Sequence, residues 1–238
     1  AIKSYKKAIK IKPDYANAYN EMGLALKNKG DLEAAIVSYQ QALKIKPDLV
    51  EAYYNMGNAL NNKGDLEAAI ESFKQALKIK PDLVEAYYNM ANALKDKGDL
   101  EAAIVSYQQA LKIKPDYAEA YNNMGVALQD KGDLKAAINS YQQALKIKPD
   151  YAEAYSNMGI ALKGMVFTKP NSGLMEIMAS LLDLKTACRP KGISKAAMSL
   201  LKIEPTLKKL LEKNSLGTLG QSVQETISTL AELPLLLK

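Results

Sequence analysis

Histidine is absent from all 238 residues, cysteine occurs once, at Cys188, and arginine once, at Arg189. Without histidine the chain lacks the usual general base, the commonest metal ligand and the partner that activates a serine or cysteine nucleophile. A lone cysteine forms neither an internal disulfide nor a multi-cysteine zinc site, and it suits a reducing compartment. No apolar run approaches the ~18–20 residues that span a bilayer, and no secretory signal pattern opens the chain. Glycine-rich phosphate loops are missing as well, since neither 164–173 nor 217–220 has the spacing they require. Ser199-Leu200-Leu201-Lys202 fits S-x-x-K but stands without the companion motifs that give it chemistry. These absences predict a non-catalytic, cytoplasmic protein that holds no cofactor and no metal.

The formal charge of +6 at first suggests an acidic partner. Its distribution argues against one. The lysines recur in slots such as Lys44/Lys46, Lys78/Lys80, Lys112/Lys114 and Lys146/Lys148, interleaved with Asp and Glu, as on a solvated helix face. Base readers lean on arginine, which is nearly missing here. Neither a nucleic acid nor a membrane is expected as a partner.

What the chain has is periodicity. The stretch 118–151 recurs at a fixed spacing of 34 residues, as 84–117, 50–83 and 16–49. A half copy, 1–15, precedes these, and the first half of another, 152–164, follows. Within one copy Ala120, Tyr121, Met124, Gly125, Ala127 and Leu128 form one helical stripe. Leu134, Ala137, Ile138, Tyr141, Ala144 and Leu145 form a second. Between them Lys131-Gly132-Asp133 supplies a left-handed helix end and an N-cap. Pro149 stops the second helix, and Asp150 starts the next copy. Gly125, Ala137 and Ala144 are small enough for helix backbones to approach. Asp116-Tyr117-Ala118-Glu119 reads as a capping box, Glu119 reaching back to the cap residue's amide. A hairpin of this kind cannot cover both its stripes alone, so stability has to come from stacking.

The 34-residue period, the run Tyr121, Gly125, Ala137, Tyr141, Ala144 and Pro149, and the Gly-Asp between helices resemble the tetratricopeptide repeat family. The resemblance spans 1–164. It departs in using Met22, Met56, Met90, Met124 and Met158 where leucine is commoner, and in Ala91, which replaces glycine. It implies an all-α, right-handed α-solenoid of stacked helix-turn-helix repeats whose first helices line a concave groove.

Beyond 164 the repeat is lost. Residues 164–173 read as a loop by their Gly, Pro, Asn and Ser, and four amphipathic stretches follow, at 174–182, 193–203, 207–213 and 221–233. Region 165–238 is expected to be non-repeat and helical, and to cap the array. It carries ten Lys or Arg against six Asp or Glu, a net +4, which makes an interface the competing reading. Ala1 falls in the middle of a repeat, and the apolar run 233–238 ends the chain, so a longer native protein is expected. The exposed repeat ends make self-association a third reading.

Since the resemblance places first helices in the groove, one row of candidates is Asn55, Asn89, Asn123 and Asn157, with Glu21 in the first copy. A carboxamide donates and accepts, so such a ladder can hold the backbone of an extended peptide whatever its side chains. A similar asparagine row lines the superhelical arm of O-linked N-acetylglucosamine transferases. Tyr54 and Tyr88 lie in the neighbouring row with Asn20, Asn122 and Ser156, and Asn58 and Asn92 lie beside them with Leu24, Val126 and Ile160. Chaperone-binding members of the family grip a terminal carboxylate with Lys and Arg on these rows. Here Glu, Asn and Tyr stand there, which argues against that clamp. The expected partner is therefore a protein or peptide bound in the groove. The alternative is the substrate-recognition arm of a larger methyltransferase- or glycosyltransferase-like enzyme.

Overall fold

The computed structural model describes residues 1–168, which are helical throughout apart from short connections. Ten helices follow one another: α1 (Ile2–Ile11), α2 (Ala16–Asn28), α3 (Leu32–Ile45), α4 (Val50–Lys63), α5 (Leu66–Ile79), α6 (Val84–Lys97), α7 (Leu100–Ile113), α8 (Ala118–Asp130), α9 (Leu134–Ile147) and α10 (Ala152–Thr168). Among the described residues there is no strand. The fold is an all-α solenoid. Two compact units divide it, one of Ala1–Pro115 and one that begins at Asp116. The tail stretches at 174–182 and beyond lie outside the described residues.

The Lys-Gly-Asp breaker works through one residue with two duties. Gly30, Gly64, Gly98 and Gly132 adopt φ of 88–90°, a left-handed conformation that costs a side-chain residue strain. The following aspartate then donates its N–H back to the carbonyl of Leu26, Leu60, Leu94 or Leu128 at 2.9–3.0 Å, closing the first helix. The carboxylates of Asp31, Asp65, Asp99 and Asp133 meanwhile accept from the N–H of Ala34, Ala68, Ala102 and Ala136 at 3.2, 3.4, 3.2 and 3.0 Å. Such a cap contributes about 1 kcal/mol.

The second helices stop because proline constrains the residue before it. Lys46, Lys80, Lys114 and Lys148 are held at φ between −131° and −125° and ψ near 90°, where a following proline disfavours the helical region.

Two local expectations are corrected. The capping box at Asp116–Glu119 does not form: Tyr117 is the N-cap of α8, with no side-chain cap bond. Glu119 thus falls one position too early to reach back, and it pairs instead with Lys148 Nζ at 3.7 Å. Residues 164–168, read as loop, continue α10 to Thr168. Val166 and Phe167 stand where earlier copies carry the left-handed glycine and the capping aspartate, so the signal that ends α2, α4, α6 and α8 is missing.

Each hairpin closes on alanine. Ala35, Ala42, Ala52, Ala59 and their equivalents in the later copies have no exposed surface, and neither do Tyr39, Phe73, Tyr107 and Tyr141. The glycine of the first helix serves this aromatic rather than a neighbouring backbone. A Cβ at Gly23, Gly57 or Gly125 would lie only 2.6, 2.7 or 2.5 Å from the ring of Tyr39, Phe73 or Tyr141. In the third hairpin Ala91 and Tyr107 are both fully buried, so that copy accommodates the methyl.

In the first unit α2 packs on α4 and α4 on α6, while α3, α5 and α7 make no comparable approach to one another. The first helices therefore stand side by side. In the second unit α8 likewise meets α10. By contrast α1 buries no residue, and Ile11 is 86% exposed.

Candidate functional site

The asparagines of the first helices bind one another across the repeats. In the first unit Asn55 Nδ2 on α4 donates to Asn20 Oδ1 on α2 at 3.1 Å. Asn20 Nδ2 in turn donates to Glu21 Oε1 at 3.2 Å. One turn of the solenoid further, Asn89 Nδ2 on α6 donates to Asn58 Oδ1 at 2.8 Å and to Tyr54 Oη at 3.1 Å, both on α4. Asn92 Oδ1 accepts from Tyr107 Oη at 2.6 Å. In the second unit Asn157 Nδ2 on α10 donates to Asn122 Oδ1 on α8 at 3.1 Å. Asn122 Nδ2 donates to Glu153 Oε1 at 3.2 Å and to Asn123 Oδ1 at 3.3 Å.

The carboxylates set the direction of these amides. An ionised carboxylate only accepts, so Asn20 must turn its N–H to Glu21 and its oxygen to Asn55. Asn122 is forced the same way by Glu153. Asn55 and Asn157 therefore donate toward the preceding first helix, and among the described residues their own Oδ1 has no hydrogen bond. Asn89 has used both N–H groups and also keeps its Oδ1.

All eight predicted site residues, Tyr54, Asn55, Asn58, Tyr88, Asn89, Asn92, Asn123 and Asn157, are half-buried, so each still shows part of its side chain to solvent. The structure brings Tyr54, Asn55, Asn58 and Asn89 together on α4 and α6. Asn123 and Asn157 belong to the second unit's own cluster on α8 and α10. Tyr54 and Tyr88 lean on the core aromatics, with ring centroids 6.1 Å from Phe73 and from Tyr107. The hubs are residues the sequence assigned only to a flanking row. Asn122 has no exposed surface at all, and Asn20 is 6% exposed. The available signal was an amide where the second and third copies carry tyrosine.

Two tyrosines behind this face titrate high. Burial, helped by the nearby Glu21 charge, pushes Tyr39 from 10.0 up to about 12. Its hydroxyl is buried without a hydrogen-bond partner. Burial also raises Tyr141, with Asp130 and Glu153 adding to the effect; its hydroxyl meets Gln129 Oε1 at 3.3 Å. Among the described residues no group of three or more Cys, Asp or Glu is placed to hold a metal. No described helix is long and apolar enough to cross a membrane.

The TPR repeat family matches the chain at residues 1–30, 26–64, 57–98, 91–132 and 127–165. The chain belongs to the tetratricopeptide repeat family, whose members act as protein-interaction scaffolds. None of the curated proteins matches it in sequence. A crystal structure of MamA is 30% identical and superposes with a TM-score of 0.60, over 70% of this chain and 92% of that one. YrrB, described as a TPR protein with an unusual peptide-binding site, is 23% identical with a TM-score of 0.62, covering 79% of this chain and 97% of its own. A MamA fragment from Desulfovibrio magneticus RS-1 is 21% identical with a TM-score of 0.61, covering 80% and 96%. These last two likenesses concern the fold alone.

Proposed function

We propose that the chain is a non-catalytic scaffold that holds an extended peptide segment of a partner protein against its first-helix face. The observation that carries this reading is the set of half-buried amides on adjacent first helices, with Asn55 Oδ1 and Asn89 Oδ1 left unbonded inside an otherwise ordered network. Oriented acceptors at repeat spacing suit peptide N–H groups, which recur along any extended chain. Tyr54 and Tyr88 add apolar surface of fixed geometry beside them. A half-buried amide already committed to its neighbours loses little freedom when a ligand arrives, which reduces the ordering cost of binding.

The reading is tested with peptides selected by phage display against the intact chain. A photoreactive residue at Tyr88 should crosslink the selected peptide, whereas one at Val105, 55% exposed on the second helix α7, should not. Crosslinking at Val105 alone, or selection that yields no peptide, would refute it.

A further inference from the structure

We infer that the first-helix face of the first unit selects a proline-rich segment of a partner protein, bound in the polyproline II conformation with a proline at every third residue. This inference rests on the peptide-binding reading and adds the conformation and chemistry of the ligand. Two independent observations agree on it.

The first is a pair of aromatic rings and their spacing. Tyr54 on α4 and Tyr88 on α6 hold equivalent positions on adjacent first helices, where the other copies carry Asn20, Asn122 and Ser156. Each ring is tilted against a core ring, by 53° to Phe73 and 59° to Tyr107, with centroids 6.1 Å apart. Aromatic pairs are favourable in that range, so both half-buried rings are fixed before a ligand arrives. Surfaces lined by such rings receive prolines. The spacing then selects the ligand's conformation. Packed helices lie about 8–10 Å apart. In polyproline II, residues on one face recur at every third position, about 9 Å along the chain, so prolines three apart meet both tyrosines. Residues on one face of a β-strand recur about 6.7 Å apart and fall out of step with the helices.

The second is the set of donors beside those rings. Asn58 spends its Oδ1 on Asn89, and among the described residues neither N–H of its Nδ2 meets an acceptor. Tyr54 Oη accepts from Asn89 and still has its own hydroxyl hydrogen to give. A polyproline II segment has no internal hydrogen bonds, so all its carbonyls are open to such donors. Proline itself brings no N–H. The two residues between successive prolines do, and the Oδ1 atoms of Asn55 and Asn89 remain to accept from them.

Fluorescently labelled peptides of equal length, built from repeats of Pro-Ser-Gln, Ala-Ser-Gln or Pro-Ser-Gln-Gln, are titrated against the full chain by anisotropy. The Pro-Ser-Gln peptide should bind at least ~10-fold tighter than either of the others. Tyr54→Leu with Tyr88→Leu should remove most of that advantage, whereas Tyr54→Phe with Tyr88→Phe, which keeps the rings, and Val105→Ala on α7 should preserve it. Asn58→Leu, which installs the residue that the first copy carries as Leu24, should weaken all three peptides. Equal binding of the three overturns the proline preference; if it still falls with Asn58→Leu, the peptide reading stands. A Pro-Ser-Gln-Gln peptide as tight as Pro-Ser-Gln overturns the polyproline II register. A proline advantage indifferent to the leucine pair overturns the placement on this face. Absence of binding by all three overturns the inference; phage-selected peptides without proline would then leave the peptide reading standing, and a selection that yields no peptide would overturn both. Circular dichroism of each variant confirms that the repeats remain folded.

Discussion

Replacing Asn122 by aspartate keeps the size of the side chain and removes both of its N–H donors. Asn122 is fully buried on α8, donates to Glu153 and Asn123, and accepts from Asn157. An Asn122→Asp variant keeps only the bond from Asn157 and sets a second carboxylate against Glu153. The loss of two hydrogen bonds, one of them to a charged group, is worth about 2–4 kcal/mol. Burying a new charge beside a like charge adds to that unless the group takes up a proton, which raises its pKa. Asn122→Ala loses three bonds but buries no charge and gains about 0.5 kcal/mol of helix propensity, for a net cost of roughly 2–5 kcal/mol. The buried charge beside Glu153 decides the order, so in urea unfolding at neutral pH the aspartate variant should be the less stable of the two. A carboxyl with a raised folded-state pKa destabilises above that pKa, so the gap should narrow at about pH 5 as the group protonates. An aspartate variant as stable as wild type at neutral pH would refute the assigned network, and so would a gap that does not change with pH.

Further outcomes follow from the core and the caps. Gly57→Ala places a methyl 2.7 Å from the Phe73 ring; overpacking of about 1–3 kcal/mol outweighs the propensity gain of up to about 1 kcal/mol, so denaturant titration should show a loss of stability. Asp133→Ala should cost about 1 kcal/mol by the same measurement, because it removes the acceptor for the Ala136 N–H. Tyr39→Phe should stabilise the chain by about 1 kcal/mol at neutral pH, since the hydroxyl is buried without a partner and Phe73 already fills the equivalent place. Wild type should also lose stability as pH rises from 10 toward about 12, because the folded-state pKa of Tyr39 lies above its ordinary value. The phenylalanine variant should lose less over that window, with tyrosinate absorbance as the readout.

The period and the breakers carry most of the fold into the sequence. A glycine with positive φ followed by a capping aspartate is a local device, and local devices can be read from spacing, as Gly132-Asp133 shows. The capping box was misplaced because Tyr117, not Asp116, starts α8; a shift of one residue in the inter-repeat turn decides whether Glu119 can reach back. The extension of α10 past Gly164 is also a matter of register: Gly164 falls two positions before the place of Gly132 in the repeat, and Val166 and Phe167 stand where the left-handed glycine and its aspartate would be.

The candidate site was legible as a row but not as a network. Asn20 and Asn55 meet across 35 positions, and Asn89 and Asn58 across 31. Those pairings depend on how far adjacent first helices are offset, which the repeat period alone does not give. Asn122 looked like one more polar surface position, yet the Asn157 amide from the next first helix reaches it and Glu153 accepts from it, burying it completely. Symmetry among the copies also concealed the direction of the amides, which the carboxylates of Glu21 and Glu153 settle.

Calorimetry of a phage-selected peptide with the intact chain and with its Asn55→Ala, Asn89→Ala variant bears most directly on binding at the amide row. Two lost acceptors at about 0.5–1.5 kcal/mol each predict an affinity reduced roughly 5- to 150-fold with the thermal unfolding of the array little changed. An unchanged dissociation constant in a folded variant would contradict the account.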